Sequence, residues 1–261
     1  MTPDANKAAE MLMTAHANGA PFAPFASTFG IASVSDAYAV QRDYVGLQMR
    51  ARGTGAAGYK IGLTSKRMQE MCGIDSPIAG VVLSDRVHAS GASVSASAYG
   101  RMGLEFEIAV RLKRDLAPDG VPSLPEVADA VDAVCAAIEI VDDRRADYRA
   151  LDVLSLIADN SWNAGIVLGE FVPAWPELAT IGGLISVDGI PLDRGSGGDV
   201  LGHPFYPVAW LASHLAKEGS GLRAGDIVMT GSLVTTKFPD RPAAYRFDVK
   251  GLGAVGLTVS A

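Results

Sequence analysis

The sequence predicts an α+β protein in which a mixed sheet forms the body and helices lie at its periphery and N-terminus. Three observations predict this class. Residues 1–57 carry helical spacing and helix caps. From residue 58 onward, short runs with the two-residue period of strands recur to the end of the chain. The helical patterns between those runs follow no regular strand–helix alternation, so a purely parallel βαβ sheet is not expected. The chain is therefore read as a helical segment, residues 1–57, packing on a mixed-sheet domain of residues 58–261.

Each element has a local reason. Thr2 can cap a first helix, with Pro3 at its first position and Gly19 as its stop. Residues 20–29, rich in proline and aromatics, form a packed loop. Ser35 caps a second helix to about Arg52, ended by Gly53, and Ala37, Val40, Tyr44 and Leu47 make one buried stripe. Residues 59–63 form a short strand, and Thr64-Ser65 begins a helix carrying Met68 and Met71. Residues 78–94 are strand-like with turns, and the strand of Glu105 and Glu107 follows. Ser123 and Glu126 form a capping box that opens a helix to about Ala136, before a strand around Glu139. A helix over 145–158 has Tyr148, Leu151, Leu154 and Ile157 or Ala158 on one face, and the polar run 159–163 breaks it ahead of a strand at 164–169. A hairpin over 183–192 turns at Asp188-Gly189. A helix over 207–217 stops at Gly219, a strand covers 226–231, and strands 245–249 and 254–259 pair across Gly251-Leu252-Gly253.

Composition narrows the function. The chain has 261 residues, a net charge of −7 and 49% hydrophobic residues, enough for a substantial core. Acidic balance without a basic stripe argues against nucleic acid as a partner. The two cysteines, Cys72 and Cys135, form no metal or disulfide pattern and fit a reducing compartment. No apolar run is long enough to span a membrane, and Met1-Thr2-Pro3-Asp4 lacks the features of a signal peptide. A soluble, cytoplasmic protein is expected. There is no G-x-G-x-x-G after a strand, no P-loop and no nucleophile elbow around Ser161, so nucleotide binding and covalent acyl transfer are not expected.

The chemistry concentrates in a few residues. Glu105 and Glu107 alternate with Phe106 and Ile108, so both carboxylates leave the strand on one side. Two adjacent carboxylates repel unless a proton or cation sits between them. Glu139, bracketed by Ile138, Ile140 and Val141, needs a partner to offset its desolvation. Three hard oxygen ligands on strands suit Mg²⁺ or Mn²⁺, although Glu-x-Glu also marks the solvated face of a half-buried sheet. Lys60 stands between Gly58 and Gly62, where a ligand can approach closely; it can bind a carboxylate or move a proton, or it can snorkel from a strand edge. Ser161 and Asn163 can offer hydrogen bonds to a polar substrate, or simply make a turn. Arg144 either joins an ion-paired turn or neutralises a substrate carboxylate. Thr230-Gly231-Ser232 ends a strand whose N–H groups can receive an anion. His203, alone before Pro204, reads as structural.

Taken in order, several of these stretches resemble the fumarylacetoacetate hydrolase superfamily, in its 2-oxopent-4-enoate hydratase and 4-oxalocrotonate decarboxylase branch. The matching pieces are Gly58-Tyr59-Lys60-Ile61-Gly62-Leu63-Thr64-Ser65, Glu105-Phe106-Glu107-Ile108-Ala109, Ile138-Glu139-Ile140-Val141-Asp142, Ala158-Asp159-Asn160, Val200-Leu201-Gly202-His203-Pro204 and the segment 225–231. The resemblance implies a mixed β-roll and a divalent metal, Mg²⁺ or Mn²⁺, held by Glu105, Glu107 and Glu139. It implies that Lys60 and Ser161 are catalytic and that the chain assembles as a homo-oligomer; together with the readings above, Leu63, Thr64, Ser65, Arg144, Asn163, Thr230 and Gly231 are expected to bind substrate. The implied substrates are 2-oxo or 2-hydroxydienoic acids from the breakdown of aromatic compounds. The expected activity is hydration of a 2-hydroxy-2,4-dienoate. The alternatives are decarboxylation of an oxalocrotonate-type acid, C–C hydrolysis of an acylpyruvate, and a non-catalytic binding module. The chain departs from the hydratase pattern at Pro77-Ile78-Ala79-Gly80, where many hydratases carry an acid after the proline, and its segment Ser232–Phe238 matches neither branch.

Overall fold

A computed structural model gives the architecture of residues 4–117 and 119–261, so the expected cap at Thr2 and Pro3 lies outside the described residues. Helix α1 spans Ala5–Ala17 and is capped by Asp4, whose carboxylate accepts from the Lys7 N–H. Helix α2 spans Val34–Arg52 and starts two residues earlier than its sequence suggests, because Ser33 rather than Ser35 accepts the N–H of Asp36. Gly53 ends it in the left-handed conformation, as expected. The buried stripe includes Ala37, Val40 and Tyr44, joined by Gln41.

Strand β1 (Ala56–Gly62), helix α3 (Lys66–Cys72) and strands β2 (Ile78–Leu83), β3 (Val87–Ala89), β4 (Ala92–Ser95) and β5 (Met102–Leu112) follow. Helix α4 (Leu124–Ala130) opens with the expected capping box of Ser123 and Glu126. It ends at Ala130, well before Ala136, and strand β6 (Val131–Asp142) begins at once. The apolar run from Val131 has no polar face for solvent, and it pairs along the whole of β5, from Leu112↔Val131 to Met102↔Asp142. The helix expected over 145–158 is also shorter. Asp147 and Asp152 each bond the backbone ahead of them, leaving a single turn at Tyr148–Ala150 and helix α5 at Val153–Ala158.

Strand β7 (Asn163–Leu168), the hairpin of β8 (Gly182–Val187) and β9 (Ile190–Ser196), helix α6 (Phe205–Lys217), and strands β10 (Ile227–Ser232), β11 (Ala243–Val249) and β12 (Gly253–Ser260) complete the order. Asp188 and Gly189 both take positive φ at the hairpin turn.

The strands make two mixed sheets, β2-β1-β10-β5-β6-β7-β3 and β4-β12-β11-β8-β9. Phe106 from the first meets Phe247 from the second with ring centroids 5.6 Å apart, so Leu104, Phe106 and Ile108 face the core between the sheets. Alternation then sends Glu105 and Glu107 to the opposite face. Helices α1 and α2 close over that part of the molecule. Gln41 Nε2 donates to the carbonyls of Ala79 (2.8 Å) and Ile157 (2.7 Å), tying α2 to β2 and α5. Among the described residues, no helix is long and apolar enough to cross a membrane.

Candidate metal and substrate site

In the register of β5 and β6, Glu105 lies directly opposite Glu139, and Glu107 follows two residues on along the same face. Their carboxylate oxygens approach within 4.8 Å of one another. Glu107 and Glu139 are fully buried. Lys60 joins them from β1 through the row Lys60↔Met229↔Ala109. It does not snorkel from an edge, because β1 is flanked by β2 and β10. Its side chain is 4% exposed, and Nζ lies 3.2 Å from Glu139 Oε1. Gly58 permits this parallel pairing, since a Cβ there would stand 1.9 Å from the carbonyl oxygen of Ile227.

Each carboxylate is held by one oxygen. Asn163 Nδ2 donates to Glu139 Oε1 at 2.9 Å, the Gly231 N–H to Glu107 Oε2 at 2.7 Å, and Thr236 Oγ1 to Glu105 Oε1 at 2.6 Å. Glu107 Oε1 and Glu139 Oε2 are buried without a partner. Two orphaned carboxylate oxygens converging with a third acid suit a hard divalent cation, which takes oxygen ligands and leaves positions for other donors. The charges agree. Burial pushes the Glu107 carboxyl well above the usual range, and Glu139 and Glu105 add to the rise. Burial likewise lifts Glu139 to about 7, against the pull of Lys60. Burial acts to lower Lys60, but Glu139, Glu105 and Glu107 together leave it above its ordinary value, so it is an ammonium among these acids.

The other sequence-named residues make the following contacts. Leu63, at the end of β1, takes a positive φ of 54°, an uncommon conformation for a branched side chain, and Gln69 Nε2 donates to its carbonyl. Thr64 is buried against Gly231, where a Cβ would stand 2.3 Å from Thr64 Oγ1. Ser65 is occupied as the cap of α3. Thr230 and Gly231 form a bulge in β10; Thr230 donates to the Ile108 carbonyl, and the Gly231 N–H is already committed to Glu107. Ser161 sits in a run of three left-handed residues, Asn160, Ser161 and Trp162, and donates to the Ala79 carbonyl at 2.9 Å. Arg144 is buried and paired with Asp159, and its Nη1 donates to the Ala20 carbonyl, so it anchors the N-terminal segment. His203 accepts the Phe205 N–H and starts α6. Ile78 is the β2 partner of Gly62, and a Cβ built on Gly62 would lie 3.5 Å from both Ile78 Cγ1 and Lys60 Nζ.

The residue that sequence reading missed is Thr236. Its only signal was a polar run, Thr235-Thr236-Lys237, just beyond the β10 bulge. The segment folds back over β5 through the Leu104↔Lys237 bridge and brings the hydroxyl to Glu105. Groups that orient metal ligands are typically worth about 10- to 100-fold in affinity. Thr236→Val, which keeps the shape and removes the donor, is expected to weaken Mn²⁺ binding by roughly tenfold or more. Titration calorimetry that finds wild-type affinity in this variant would remove Thr236 from the site.

A family model described as fumarylacetoacetate (FAA) hydrolase C-terminal matches residues 57–260. The chain belongs to the fumarylacetoacetate hydrolase family. Within it, the chain is 34% identical over 259 residues to a 2-keto-4-pentenoate hydratase of Paraburkholderia xenovorans, covering 98% of this chain and 95% of that one. It is 35% identical over 243 residues to a 2-hydroxyhexa-2,4-dienoate hydratase of Comamonas testosteroni, covering 90% and 89%. Among solved structures, the 4-oxalocrotonate decarboxylase of Pseudomonas putida G7, complexed with magnesium and adipate, superposes with a TM-score of 0.90 at 28% identity, covering 98% of this chain and 97% of that one.

Proposed function

We propose that the protein is a metal-dependent hydratase that adds water to a 2-hydroxy-2,4-dienoate and yields a 4-hydroxy-2-oxo acid. The observation that carries this reading is the convergence of Glu105, Glu107 and Glu139 beside Lys60, in a chain whose relatives are hydratases of such acids. Glu105, Glu107 and Glu139 would hold Mg²⁺ or Mn²⁺, which when bound would supply Lewis acidity for stabilising the enolate of a 2-oxo acid. Glu105, Glu107 and Glu139 are then ligands rather than acids or bases. Lys60 is the proton-moving group, serving the C2 oxygen during ketonisation of the dienol. The dienol takes up a proton at C5, and water adds to the resulting conjugated enone at C4, with a proton returning to C3. Asn163, Gly231 and Thr236 orient the ligands. Ser161 has committed its own proton to Ala79 and keeps only acceptor capacity for water or substrate. In this reading the enzyme is a cytoplasmic homo-oligomer serving the breakdown of aromatic compounds.

Ile78 favours a second reading. An apolar side chain opposite Gly62 leaves β2 without an acid or base at that point, and loss of CO₂ from an oxalocrotonate-type acid needs none there. The electrons of the broken C–C bond would enter the same C2 enolate. Incubation with 2-hydroxypenta-2,4-dienoate and with 4-oxalocrotonate, in Mg²⁺ or Mn²⁺ and read by product mass, separates the two. Gain of water by the dienoate is expected; loss of CO₂ from oxalocrotonate with no hydration of the dienoate would establish the decarboxylase instead.

A further inference from the structure

The first sheet curls without closing by strand pairing. Its order leaves β2 at one edge, yet β2 comes against β7, with β1, β10, β5 and β6 between them in the sheet. Among the described residues no ladder joins β2 to β7, so the outer edge of β2 has backbone groups to satisfy by other means. Tyr38, Gln41 and Ser161 serve Ala79. Asn160 serves Val81: its Oδ1 accepts the Val81 N–H at 2.7 Å, and its Nδ2 donates to the Val81 carbonyl at 2.9 Å. One side-chain amide thus imitates a neighbouring peptide. The Asn160 carbonyl oxygen also approaches Gly80 so closely that a Cβ there would stand 2.5 Å from it.

The segment that makes this contact is strained and is held at both ends. Asn160, Ser161 and Trp162 have φ of 52°, 49° and 59°. Asparagine visits the left-handed region more readily than serine or tryptophan, and three such residues in succession persist only where the surrounding contacts dictate them. On one side the buried Asp159 is paired with Arg144 and meets His16 Nε2 at 2.7 Å. On the other, Asn163 donates to Glu139 Oε1 at 2.9 Å. That same oxygen lies 3.2 Å from Lys60 Nζ, and Lys60 stands opposite Gly80 in the register of β1 and β2. The contacts form a ring. They run from Lys60 across to Gly80 and Val81, through Asn160 and the chain to Asn163, and through Glu139 back to Lys60.

We propose that Asn160 is a positioning residue that closes this ring and so fixes Glu139 relative to Lys60. Its side chain bonds to neither of them. It acts by tying β2, and with it the β1 strand of Lys60, to the segment that holds Glu139. Without that tie the two sides of the site are joined chiefly around the curl of the sheet, through β10, β5 and β6. Ser161 adds one bond to Ala79, whereas Asn160 supplies two and sets how near the segment comes to Gly80. The consequence for turnover rests on the hydratase reading above; the consequence for metal binding rests on the carboxylate cluster alone.

The test measures Mn²⁺ affinity by calorimetry in the wild type, Asn160→Gly, Gly80→Ala and Ser155→Ala. Glycine takes a left-handed φ freely, so the first variant removes the amide without adding backbone strain. Gly80→Ala forces the segment off β2 and keeps every hydrogen-bonding group, so it gives the same reading should Asn160→Gly fold poorly. Ser155→Ala controls for lost stability: the buried Ser155 hydroxyl accepts the Phe25 and Ala26 N–H groups at 2.8 and 2.9 Å, outside the ring. All three variants are expected to lower Tm. Only Asn160→Gly and Gly80→Ala are expected to weaken Mn²⁺ binding, by about tenfold or more. With Mg²⁺ saturating, both should lower kcat and kcat/KM for 2-hydroxypenta-2,4-dienoate together, by about a hundredfold, the scale of a misplacement of about 1 Å. Wild-type Mn²⁺ affinity in either variant, equal weakening in Ser155→Ala, or no Mn²⁺ binding by the wild type overturns the proposal. Failure of the hydratase reading registers separately, as no hydration of the dienoate while the Mn²⁺ affinities keep the expected order.

Discussion

Glu107→Gln should fold normally and lose metal-dependent turnover by about a thousandfold or more, the scale set by removing several kcal/mol of charge stabilisation. Glutamine fills the same volume and can still accept the Gly231 N–H through its carbonyl oxygen. That orientation turns an amide NH₂ toward the point where Glu105 and Glu139 converge, and an NH₂ donor cannot ligate a cation. Stability should move the other way in chelated protein. The Glu107 carboxyl is raised by burial and by Glu139 and Glu105, so its ionised form is disfavoured in the folded state. A group whose pKa rises on folding gives stability at acid pH that is lost as pH climbs from the ordinary carboxylate range through the raised value. Glu139, lifted to about 7, contributes in the same window. The Tm of the chelated wild type should therefore fall between about pH 5 and pH 8, and Glu107→Gln should show a shallower fall. The readouts are kcat with added Mg²⁺ or Mn²⁺ and Tm with EDTA across that range. Metal-dependent activity surviving in the variant would sink the ligand assignment.

Lys60→Arg should lose nearly as much activity as Lys60→Ala, on the order of 10²- to 10⁴-fold for both, the usual worth of a positioned proton-transfer group. Arginine preserves the positive charge beside Glu139 but does not release its proton near neutral pH. The carboxylates keep Lys60 protonated in the metal-free cluster. A cation among the glutamates would cancel much of their attraction, leaving burial to pull the lysine downward and ease the transfer. The comparison needs metal occupancy confirmed in each variant. Substantial activity in Lys60→Arg would make Lys60 a carboxylate clamp with no part in proton transfer.

How much of this was legible in the chain depends on the range of the interaction. Strand alternation is local, so it put Glu105 and Glu107 on one side and marked Glu139 as a charge needing a partner. The hairpin at Asp188-Gly189 and the stop at Gly53 were equally local, because a positive φ is a property of one residue and its neighbours. The family resemblance added the meeting of Lys60 with the three acids, which no single window contains.

Tertiary structure decided the rest. The stretch Val131 to Ala136 reads as the end of a helix in sequence, and the long pairing with β5 makes it strand instead. Arg144 looked available for substrate until Asp159, fifteen residues away, took its charge in a buried pair. Thr236 reaches Glu105 only because a loop 131 residues along the chain folds back across Gly103. Sequence periodicity determined which way each carboxylate points. What holds each carboxylate, and what lines the space beyond it, depends on contacts between distant segments, which only the packed chain brings within hydrogen-bond reach.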